Sequence, residues 1–548
     1  MSSRLRNTNI TRLKEQSFDV CVIGAGINGA VSAAALAGQG LKVALIDKGD
    51  FGGFTSSQSS NLAWGGIKYM ETGEFGLVWK LCKSRNLLSR SYPSTVKEIR
   101  FLTTVEKDFR LPSFFVYLGT LVYWLIGRFA TRAPKFFSPQ KLKEREPLIE
   151  TRDAVAGIEY SDCYLHDNDA RFVWGFVRKA LDYGAAAVNY VCSTGARREG
   201  DDWIVAAREE LSGLEFDIRA RVLVNACGPY VDEHNALTGQ ETTHRHLFSK
   251  GIHLVVDRVM ERKRILTFFA SDGRLFFILP MGPKTCIGTT DTRVDDPETG
   301  VTDEDRDFVL ANANELLALT TPLTRADIIA ERCGVRPLAV TGHSDSDWIS
   351  LSRKHAIDVD EAARHISIFG GKLTDCINVG DEVADIVESL GLKRPFAGRK
   401  WYGEPDEATR EEFMHQAQLM GLDDMTDADS SEVLSERFWR RYGADAFEML
   451  ESIRANPDNA KRMLKTAEYL RCEIEHTGRR EMITRLEDFL RRRSKISQVV
   501  REESLRESPG LLKACRVFFG DDAEMKLDEY WATREPKDQP PAEPGPTL

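Results

Sequence analysis

Three glycines near the start of the chain have the spacing of a phosphate-binding turn. Gly24, Gly26 and Gly29 form G-x-G-x-x-G in GAGING, directly after the apolar run DVCVIG and before an alanine-rich run. There the first glycine allows a tight turn, the second lets the backbone approach a pyrophosphate, and the third allows close helix packing. The N-terminus of the following helix offers N–H donors to phosphates. The sequence therefore predicts a dinucleotide site that also includes Ile27 and Asn28.

An acidic residue stands where such a site binds a ribose. Asp47 ends the next apolar run, close to the usual distance of about 20 residues from the glycines, with Lys48 beside it. A glycine turn without a nucleotide fits poorly, because strand, turn, helix, second strand and acid all agree. The motif alone leaves NAD and FAD open, since both carry the same pyrophosphate, and its N-terminal position favours FAD.

The elements that must position these residues follow from hydrophobic patterns. Residues 18–50 predict a strand, a glycine turn, a helix and a second strand, which is one βαβ unit. Residues 150–290 mix helical pieces with strand-like pieces such as WIVAAREE, which indicates antiparallel sheet. From about residue 400, charged amphipathic sequence predicts a separate helical domain, and the Pro-rich end predicts a disordered tail.

Composition and charge exclude several classes of protein. The 548 residues, 42% of them hydrophobic, are too many for one core and predict two or three domains. The net charge of −10 is spread without long single-sign blocks, so no nucleic-acid surface is predicted. The 10 cysteines have no metal-type spacing with histidine, which predicts neither a metal site nor disulfides and fits a reducing compartment.

The first residues and the most apolar run bear on location. The polar, basic start MSSRLRNTNITRLKEQ lacks the apolar core of a secretory signal, so a cytoplasmic location is predicted. The run at 114–126 is shorter than the roughly 20 residues needed to cross a bilayer. Its aromatic residues, between Arg110 and Arg128, would suit a helix at a membrane surface, but a buried core helix is the preferred interpretation.

Further motifs fit one known family. They are TSSQSSNLAWGGIKYME at 55–71, EYSDC at 159–163, NACGPY at 225–230, KGIHLVV at 250–256, IGTTD at 287–291, GVRPL at 334–338 and FGGKLT at 369–374. In this order they resemble the FAD-dependent glycerol-3-phosphate dehydrogenases, from about residue 18 to 380 and more weakly through the helical part. The resemblance implies FAD as the cofactor.

The resemblance also implies a fold, α/β in class and α+β overall. It is a Rossmann-type FAD-binding domain with an interleaved antiparallel-sheet substrate domain and a helical C-terminal domain. After an N-terminal extension of residues 1–17, the two interleaved domains would occupy 18–395. The parts mainly binding FAD would be 18–80, 150–235 and 330–390, and the parts mainly forming the substrate cap would be 81–149 and 236–329. The helical domain would cover 396–535 and the disordered tail 536–548.

Such enzymes oxidise the C2 hydroxyl of sn-glycerol 3-phosphate to dihydroxyacetone phosphate, pass a hydride to flavin N5, and reoxidise the flavin with a membrane quinone or, in some, oxygen. The resemblance therefore implies a quinone-linked enzyme that touches the inner face of the membrane peripherally. It favours the run at 114–126 and the basic helix near Arg491 as the segments that contact the membrane.

The family motifs imply which residues surround FAD. The stretch at 55–71 would pack against the flavin ring, with Gly65 and Gly66 permitting close approach. A flexible linker would needlessly expose Trp64 and Tyr69. The other residues expected at FAD are Thr55, Ser56, Ser57, Ser60, Asn61, Ala226, Gly228, Gly371, Lys372, Leu373 and Thr374.

A phosphate dianion needs fixed cations, and the motifs place Lys68, Arg336 and Lys372 near the flavin, with Tyr69 and His253. Arg336 would grip an oxyanion through its planar guanidinium and steady the developing alkoxide. His253, whose ordinary pKa is about 6.5, is the candidate general base, although a core histidine is nearly as good an interpretation. Lys372 fits either the flavin or the phosphate. Arg336, His253 and Lys372 are the catalytic candidates.

The chain departs from the family pattern at several of these positions. Asn61, Trp64 and Lys68 stand where the family usually has Lys, His and Arg. Lys68 keeps the charge but lacks the bidentate fork that suits phosphate. KLTDCI replaces KLTTYR, so Ile377 removes an arginine and Asp375 adds a negative charge. Asp291, after IGTT, is interpreted as structural.

These departures keep other functions open. Another polyol phosphate or a hydroxy acid remains a possible substrate. An amine or amino-acid oxidase is a second interpretation, which the FGGKLT and GVRPL pair opposes. A flavin-binding protein with a decayed site is a third, which the presence of Arg336, Lys372 and His253 opposes.

Overall fold

The computed structural model describes residues 2–270, 273–341, 354–464 and 467–534. The tail assigned to 536–548 lies outside them. The strands are β1 (Ser17–Ile23), β2 (Val43–Asp47), β3 (Leu62–Ala63), β4 (Val96–Glu106), β5 (Lys135–Phe137), β6 (Ala154–Leu165), β7 (Ala186–Asn189), β8 (Val191–Glu199), β9 (Asp202–Glu209), β10 (Glu215–Asn225), β11 (His244–Asp257), β12 (Ile265–Phe269), β13 (Leu275–Met281), β14 (Lys284–Gly288), β15 (Thr292–Val294), β16 (Ala330–Thr341), β17 (Ala356–Asp360), β18 (His365–Phe369), β19 (Arg462–Leu464) and β20 (Tyr469–Leu470).

Helices cover the first sheet and form the C-terminal region. They are α1 (Ser2–Glu15), α2 (Ile27–Gly38), α3 (Phe75–Ser91), α4 (Ser113–Ile126), α5 (Pro139–Arg145), α6 (Asp169–Asp182), α7 (Val231–Leu237), α8 (Asp303–Leu316), α9 (Cys376–Ser389), α10 (Glu407–Leu419), α11 (Leu434–Tyr442), α12 (Ala446–Ala455), α13 (Arg471–Arg480), α14 (Ile496–Val499), α15 (Glu502–Arg506), α16 (Pro509–Phe519) and α17 (Ala523–Ala532).

The first large sheet carries the glycine turn. Its order is β17-β18-β10-β1-β2-β7, with β9 pairing with β10 and β8 with β9. The neighbours from β18 to β7 run parallel, and parallel strands need crossover connections such as helices. The helix α2 begins directly after the turn and leads back into β2. The predicted βαβ unit is confirmed.

Nearby backbone atoms require glycine at two positions of the turn. Gly24 has φ +92°, and a Cβ there would lie 2.5 Å from Ala226 O. A Cβ on Gly29 would lie 1.8 Å from Gly24 O. Backbone atoms cannot move aside cheaply, so both positions exclude larger residues.

The second large sheet presents a face of chemically active residues. Its order is β15-β11-β14-β13-β12-β4-β6-β3, with β16 pairing with β11 and β5 with β6. In the β11–β16 pairing, Ser249 stands opposite Arg336, Gly251 opposite Gly334, and His253 opposite Arg332. Alternate residues of a strand point to the same face. These six residues therefore share one face of the sheet, which we call the active face.

The N-terminal helix α1 packs on the edge of the first sheet. Arg6 Nη2 donates to Glu209 Oε1 at 2.6 Å and to Asn189 O at 2.9 Å. Asn9 Nδ2 donates to Ala187 O at 3.2 Å. The residues assigned to an extension thus lie against the sheet, while the division of the chain into domains stays a prediction.

The C-terminal helical region is joined to the first sheet through a buried ionic cluster. Arg493 donates to both oxygens of Asp50, at 2.7 and 2.9 Å, and Arg492 Nε donates to the same carboxylate at 2.7 Å. Burial alone would raise the pKa of Asp50, but Arg493 and Arg492 hold it at about 2. Arg491, Arg492 and Arg493 are all buried. The expectation that the basic segment near Arg491 touches a membrane is therefore wrong, because its charges face the protein interior.

The apolar helix α4 lies on the surface. Of its residues only Thr120 and Tyr123 are buried, whereas Phe114 is 65% exposed and Phe115 58%. The preferred interpretation as a buried core helix is wrong. A helix apolar on all sides gives no periodicity from which burial can be inferred. Among the described residues, no helix combines the length and apolarity needed to cross a membrane.

Candidate active site

A cavity of about 400 Å³ lies where the loop after β2, the active face of the second sheet and the turn after β18 meet. It brings together the three catalytic candidates with all the residues expected at the substrate. The predicted site residues in its wall are Ile27, Thr55, Ser56, Ser60, Lys68, Tyr69, His253, Arg336, Gly371, Lys372, Leu373 and Thr374. Other predicted cofactor residues lie outside this wall: Gly24, Gly26, Asn28, Gly29, Asp47, Lys48, Asn61, Gly65, Gly66, Ala226 and Gly228.

The start of α2 is one end of the site. Ile27 N donates to Ser56 Oγ at 2.9 Å, so the loop that lines the cavity also meets the helix N-terminus. Asn28 Nδ2 donates to Gly370 O at 3.0 Å and ties the helix to the turn before Lys372. This arrangement places the N-terminus of α2 beside small residues, which is the setting that favours a pyrophosphate.

Asp47 and Lys48 make contacts within the protein. Asp47 accepts Ala25 N at 2.6 Å and Gly49 N at 2.8 Å. Burial raises the pKa of Asp47 to about 6, although these two donors oppose the shift. The Lys48 ammonium lies 3.3 Å from the centre of the Tyr230 ring. Asp47 thus holds the glycine turn, and its contact with a ribose stays a prediction.

Two further predicted cofactor residues lie outside the cavity wall and contact neighbouring elements. Asn61 has φ +57°, and its Oδ1 accepts Asp169 N at 3.2 Å. A Cβ on Gly65 would lie 2.2 Å from Tyr123 Oη, so this glycine makes room for a buried tyrosine. Tyr123 Oη in turn donates to Asp162 Oδ2 at 2.6 Å.

Arg336 lies across the active face of the second sheet. Its Nη2 donates to Thr289 Oγ1 at 3.0 Å and its Nη1 to Thr290 O at 3.3 Å. Asp291 Oδ1 is 3.4 Å from Nη1 and also accepts from Ser249 Oγ. These contacts fix the plane of the guanidinium, which borders the cavity with its charge partly balanced by one carboxylate.

Gly251 is the residue that makes room for this guanidinium. A Cβ at Gly251 would lie 2.1 Å from Arg336 Nη2. Gly251→Ala should therefore push Arg336 aside. We expect kcat/KM for the oxidation that the family resemblance implies to fall by about 10²-fold, since a misplacement of about 1 Å costs that much. Single-turnover flavin reduction checks it, with Gly76→Ala as control because a Cβ at Gly76 meets no atom of the described residues within 4 Å. Equal activity of both variants would contradict this positioning.

His253 is buried at the cavity wall. Its Nε2 lies 3.0 Å from Ser60 Oγ, and it is 1% exposed. Within the described part of the chain, its Nδ1 has no hydrogen-bond partner. Burial first, then Arg332 and Arg336, hold the pKa of His253 well below its usual value. The imidazole is therefore neutral at physiological pH, and the Ser60 hydroxyl connects it to the cavity.

The predicted lysines differ in setting. Lys372 Nζ donates to Tyr69 Oη at 2.6 Å and lies 3.9 Å from the centre of its ring. Lys68, on the neighbouring turn, is exposed at the cavity mouth. Both cations thus line the cavity that an anion would enter.

The negative charge added at Asp375 is balanced by its neighbours. Asp375 accepts from Ser84 Oγ at 2.8 Å and pairs with Lys80 at 3.1 Å and with His355 at 3.2 Å. Burial would raise the pKa of Asp375, but these partners hold it at about 2. The Trp64 side chain forms part of the cavity wall.

Several structural residues of the site were not predicted. Arg332 Nη2 donates to Ser57 O at 3.0 Å and to Asp169 Oδ2 at 3.0 Å. Ser59 N donates to the same carboxylate oxygen at 2.7 Å. The alternation R-x-G-x-R in ERCGVRPL would have placed Arg332 on the face of Arg336, but nothing local points to Asp169.

The fold and the glycine turn define a class of protein, the FAD-dependent oxidoreductases. The family model described as "FAD dependent oxidoreductase" matches residues 19–354, and that of the "C-terminal domain of alpha-glycerophosphate oxidase" matches residues 392–524. FAD is the cofactor. The glycine turn, the α2 N-terminus and the small residues of the loop fit the pyrophosphate of this group.

Comparison with individual proteins narrows the class. The chain is 33% identical over 504 residues to a glycerol-3-phosphate dehydrogenase 2 from Mycobacterium tuberculosis, covering 89% of this chain and 82% of that protein. It is 32% identical over 394 residues to an aerobic glycerol-3-phosphate dehydrogenase from Bacillus subtilis, covering 70% and 69%. The chain belongs to the family of FAD-dependent glycerol-3-phosphate dehydrogenases, as its motifs predicted.

A solved structure agrees in fold. The glycerol-3-phosphate dehydrogenase from Bacillus halodurans complexed with FAD has a TM-score of 0.74 and 24% identity, with 97% of each chain covered. A glycine oxidase from Geobacillus kaustophilus has a TM-score of 0.53 over 71% of this chain. The predicted fold class, including the helical C-terminal region, is confirmed.

Proposed function

We propose that this protein oxidises sn-glycerol 3-phosphate to dihydroxyacetone phosphate. The observation that carries the proposal is one cavity that joins Arg336, Lys372, Lys68 and His253 to the glycine-turn end of the site. Bound FAD supplies the two-electron acceptor for the hydride. The family membership supports the substrate, because the similar proteins are named for it.

The cations divide the work between two ends of the substrate. Lys68 and Lys372 hold the phosphate as compact charges, and Tyr69 orients Lys372 through its hydroxyl. Arg336 stabilises the negative charge that develops on the C2 oxygen. The hydroxyl proton passes through Ser60 Oγ to the neutral His253, because Ser60 reaches the cavity and is hydrogen-bonded to the buried ring.

The direct test is anaerobic addition of sn-glycerol 3-phosphate to the purified yellow protein. We expect the oxidised flavin band to bleach. The mirror-image sn-glycerol 1-phosphate and free glycerol are matched controls, since one keeps the phosphate but reverses the C2 geometry and the other lacks the phosphate. A flavin that stays oxidised with all three would refute the proposed substrate.

A second candidate substrate is another polyol phosphate. The observation that favours it is Trp64 in the cavity wall, together with Lys68 at its mouth. Bleaching by a longer polyol phosphate but not by sn-glycerol 3-phosphate would select this candidate.

We propose a quinone as the electron acceptor. The support is an exposed apolar surface on α4 and the segments around it, formed by Leu111, Phe114, Phe115, Leu118, Leu125, Phe129 and Phe136. Such a surface is typical of a site that binds a membrane or a partner. Oxygen is the competing acceptor. Reoxidation of the reduced protein by a short-chain quinone should outpace reoxidation by air, and the reverse result would identify an oxidase.

The same surface should bind lipid. Arg128 and Arg132 flank it and would meet anionic headgroups. Phe114→Asp with Phe115→Asp should abolish flotation with anionic liposomes while flavin content and substrate reduction persist, since burial of each phenylalanine contributes about 1.5–3 kcal/mol. The control is Leu419→Asp, an equally apolar residue that is 74% exposed elsewhere. Flotation unchanged by the double substitution would refute the proposed surface.

A further inference from the structure

One side chain of the C-terminal helical region reaches the cavity wall. Arg491 Nη2 donates to Gln58 Oε1 at 2.6 Å, across a separation of 433 residues. Gln58 lines the cavity. On its other side Gln58 packs against β16, where a Cβ on Gly334 would lie 2.8 Å from Gln58 Cβ. Gln58 is thus held between the second sheet and the C-terminal region.

Arg491 brings a buried charge to the loop. Arg491 is 7% exposed, and the acceptor that it meets in the loop is a neutral amide. Burial and then the neighbouring Arg332 lower the pKa of Arg491 to about 10, although Glu487 and Asp169 oppose the shift. A buried cation beside a like charge is costly unless a specific contact requires it. That contact is with the loop.

The position of the loop matters for the site. Gln58 stands two residues before Ser60, whose Oγ lies 3.0 Å from His253 Nε2. It stands two residues after Ser56, which meets the start of α2 at Ile27 N. A shift at Gln58 therefore moves both the end that meets the pyrophosphate-binding helix and the end that meets the imidazole.

We propose that Arg491 is a positioning residue that fixes residues 56–60 through Gln58, so that FAD retention and the Ser60–His253 contact depend on the C-terminal helical region. The part that concerns His253 rests on the proposed function. The part that concerns the loop and FAD does not.

The test uses Arg491→Met and Gln58→Met in the FAD-loaded protein. We expect amide hydrogen exchange in peptides that span 55–64 to accelerate about tenfold, and FAD to bind about tenfold more weakly, because the loop loses the charge-assisted hydrogen bond that holds it. The double variant should show the same exchange rate and FAD affinity as either single variant. Arg491→Lys should show smaller changes in both quantities than Arg491→Met. In steady-state turnover, the fold decrease in kcat should exceed the fold increase in KM.

Arg516→Met is the matched control, an arginine of the same region that is 61% exposed on its side chain. It should change none of these quantities. If Arg491→Met lowers the melting temperature but leaves exchange in 55–64 unchanged, or if Gln58→Met leaves exchange and FAD affinity unchanged, the proposal is overturned. Exchange and FAD release need no substrate, so they decide it even if sn-glycerol 3-phosphate fails to reduce the flavin.

Discussion

Arg336→Ala is expected to leave the protein folded and yellow while nearly abolishing reduction by sn-glycerol 3-phosphate. The guanidinium borders the cavity and is held by Thr289 Oγ1 and Thr290 O. Two charge-assisted hydrogen bonds to the substrate oxygen are worth roughly 3–6 kcal/mol together. A loss of that size lowers kcat/KM by about 10²–10⁴-fold. Anaerobic stopped-flow measurement of flavin bleaching against substrate concentration provides the value.

The way the loss divides between kcat and KM identifies what Arg336 binds. A fall in kcat with little change in KM means that it stabilises the developing alkoxide, whereas a rise in KM alone means that it holds the phosphate in the ground state. Arg336→Lys keeps the charge but cannot form two parallel hydrogen bonds, so its kcat/KM should lie between those of the unaltered protein and Arg336→Ala. Arg325→Ala removes an exposed arginine that pairs with Asp303 and Asp307 and should match the unaltered protein. Normal bleaching in Arg336→Ala would remove this residue from the mechanism.

Sequence patterns predicted the parts of the site that depend on local geometry. The glycine turn requires Gly24 and Gly29 because backbone atoms lie against them, and such contacts leave a spaced motif. His253 and Arg336 share a sheet face because of strand alternation and pairing. The alternation is visible in the sequence, whereas the proximity of the two residues was implied by the family resemblance and their strand pairing is seen in the structure.

Other parts depend on contacts between distant segments. Arg491 meets Gln58 across 433 residues, and its run of arginines reads locally as a solvated basic face. For both segments the composition predicts the opposite, namely exposure of that run and burial of α4. In each case composition describes the segment, but only the surrounding fold decides which side of it meets water.

His253→Asn is expected to lower kcat by about 10²–10⁴-fold, the usual contribution of a general base. Asparagine keeps a polar side chain of similar reach that cannot accept the proton at neutral pH. The control is His234→Asn, because His234 is also buried and also meets a serine, with Nε2 3.0 Å from Ser193 Oγ, but it lies outside the cavity wall. Equal kcat values in the unaltered protein and His253→Asn would exclude the imidazole as the base.

The pH profile separates a base from a merely structural histidine. Since burial, Arg332 and Arg336 hold the pKa of His253 well below its usual range, the ring stays neutral as pH falls through about 6.5, where a free histidine would gain its proton. Activity of the unaltered protein should therefore show no acid limb near that pH. His253→Asn should instead gain rate steadily as pH rises, because solvent hydroxide must replace the imidazole. Because a lowered pKa makes the imidazole a weaker base, we expect Arg336 to assist proton removal by stabilising the alkoxide. Arg336→Ala should therefore steepen the dependence of rate on pH.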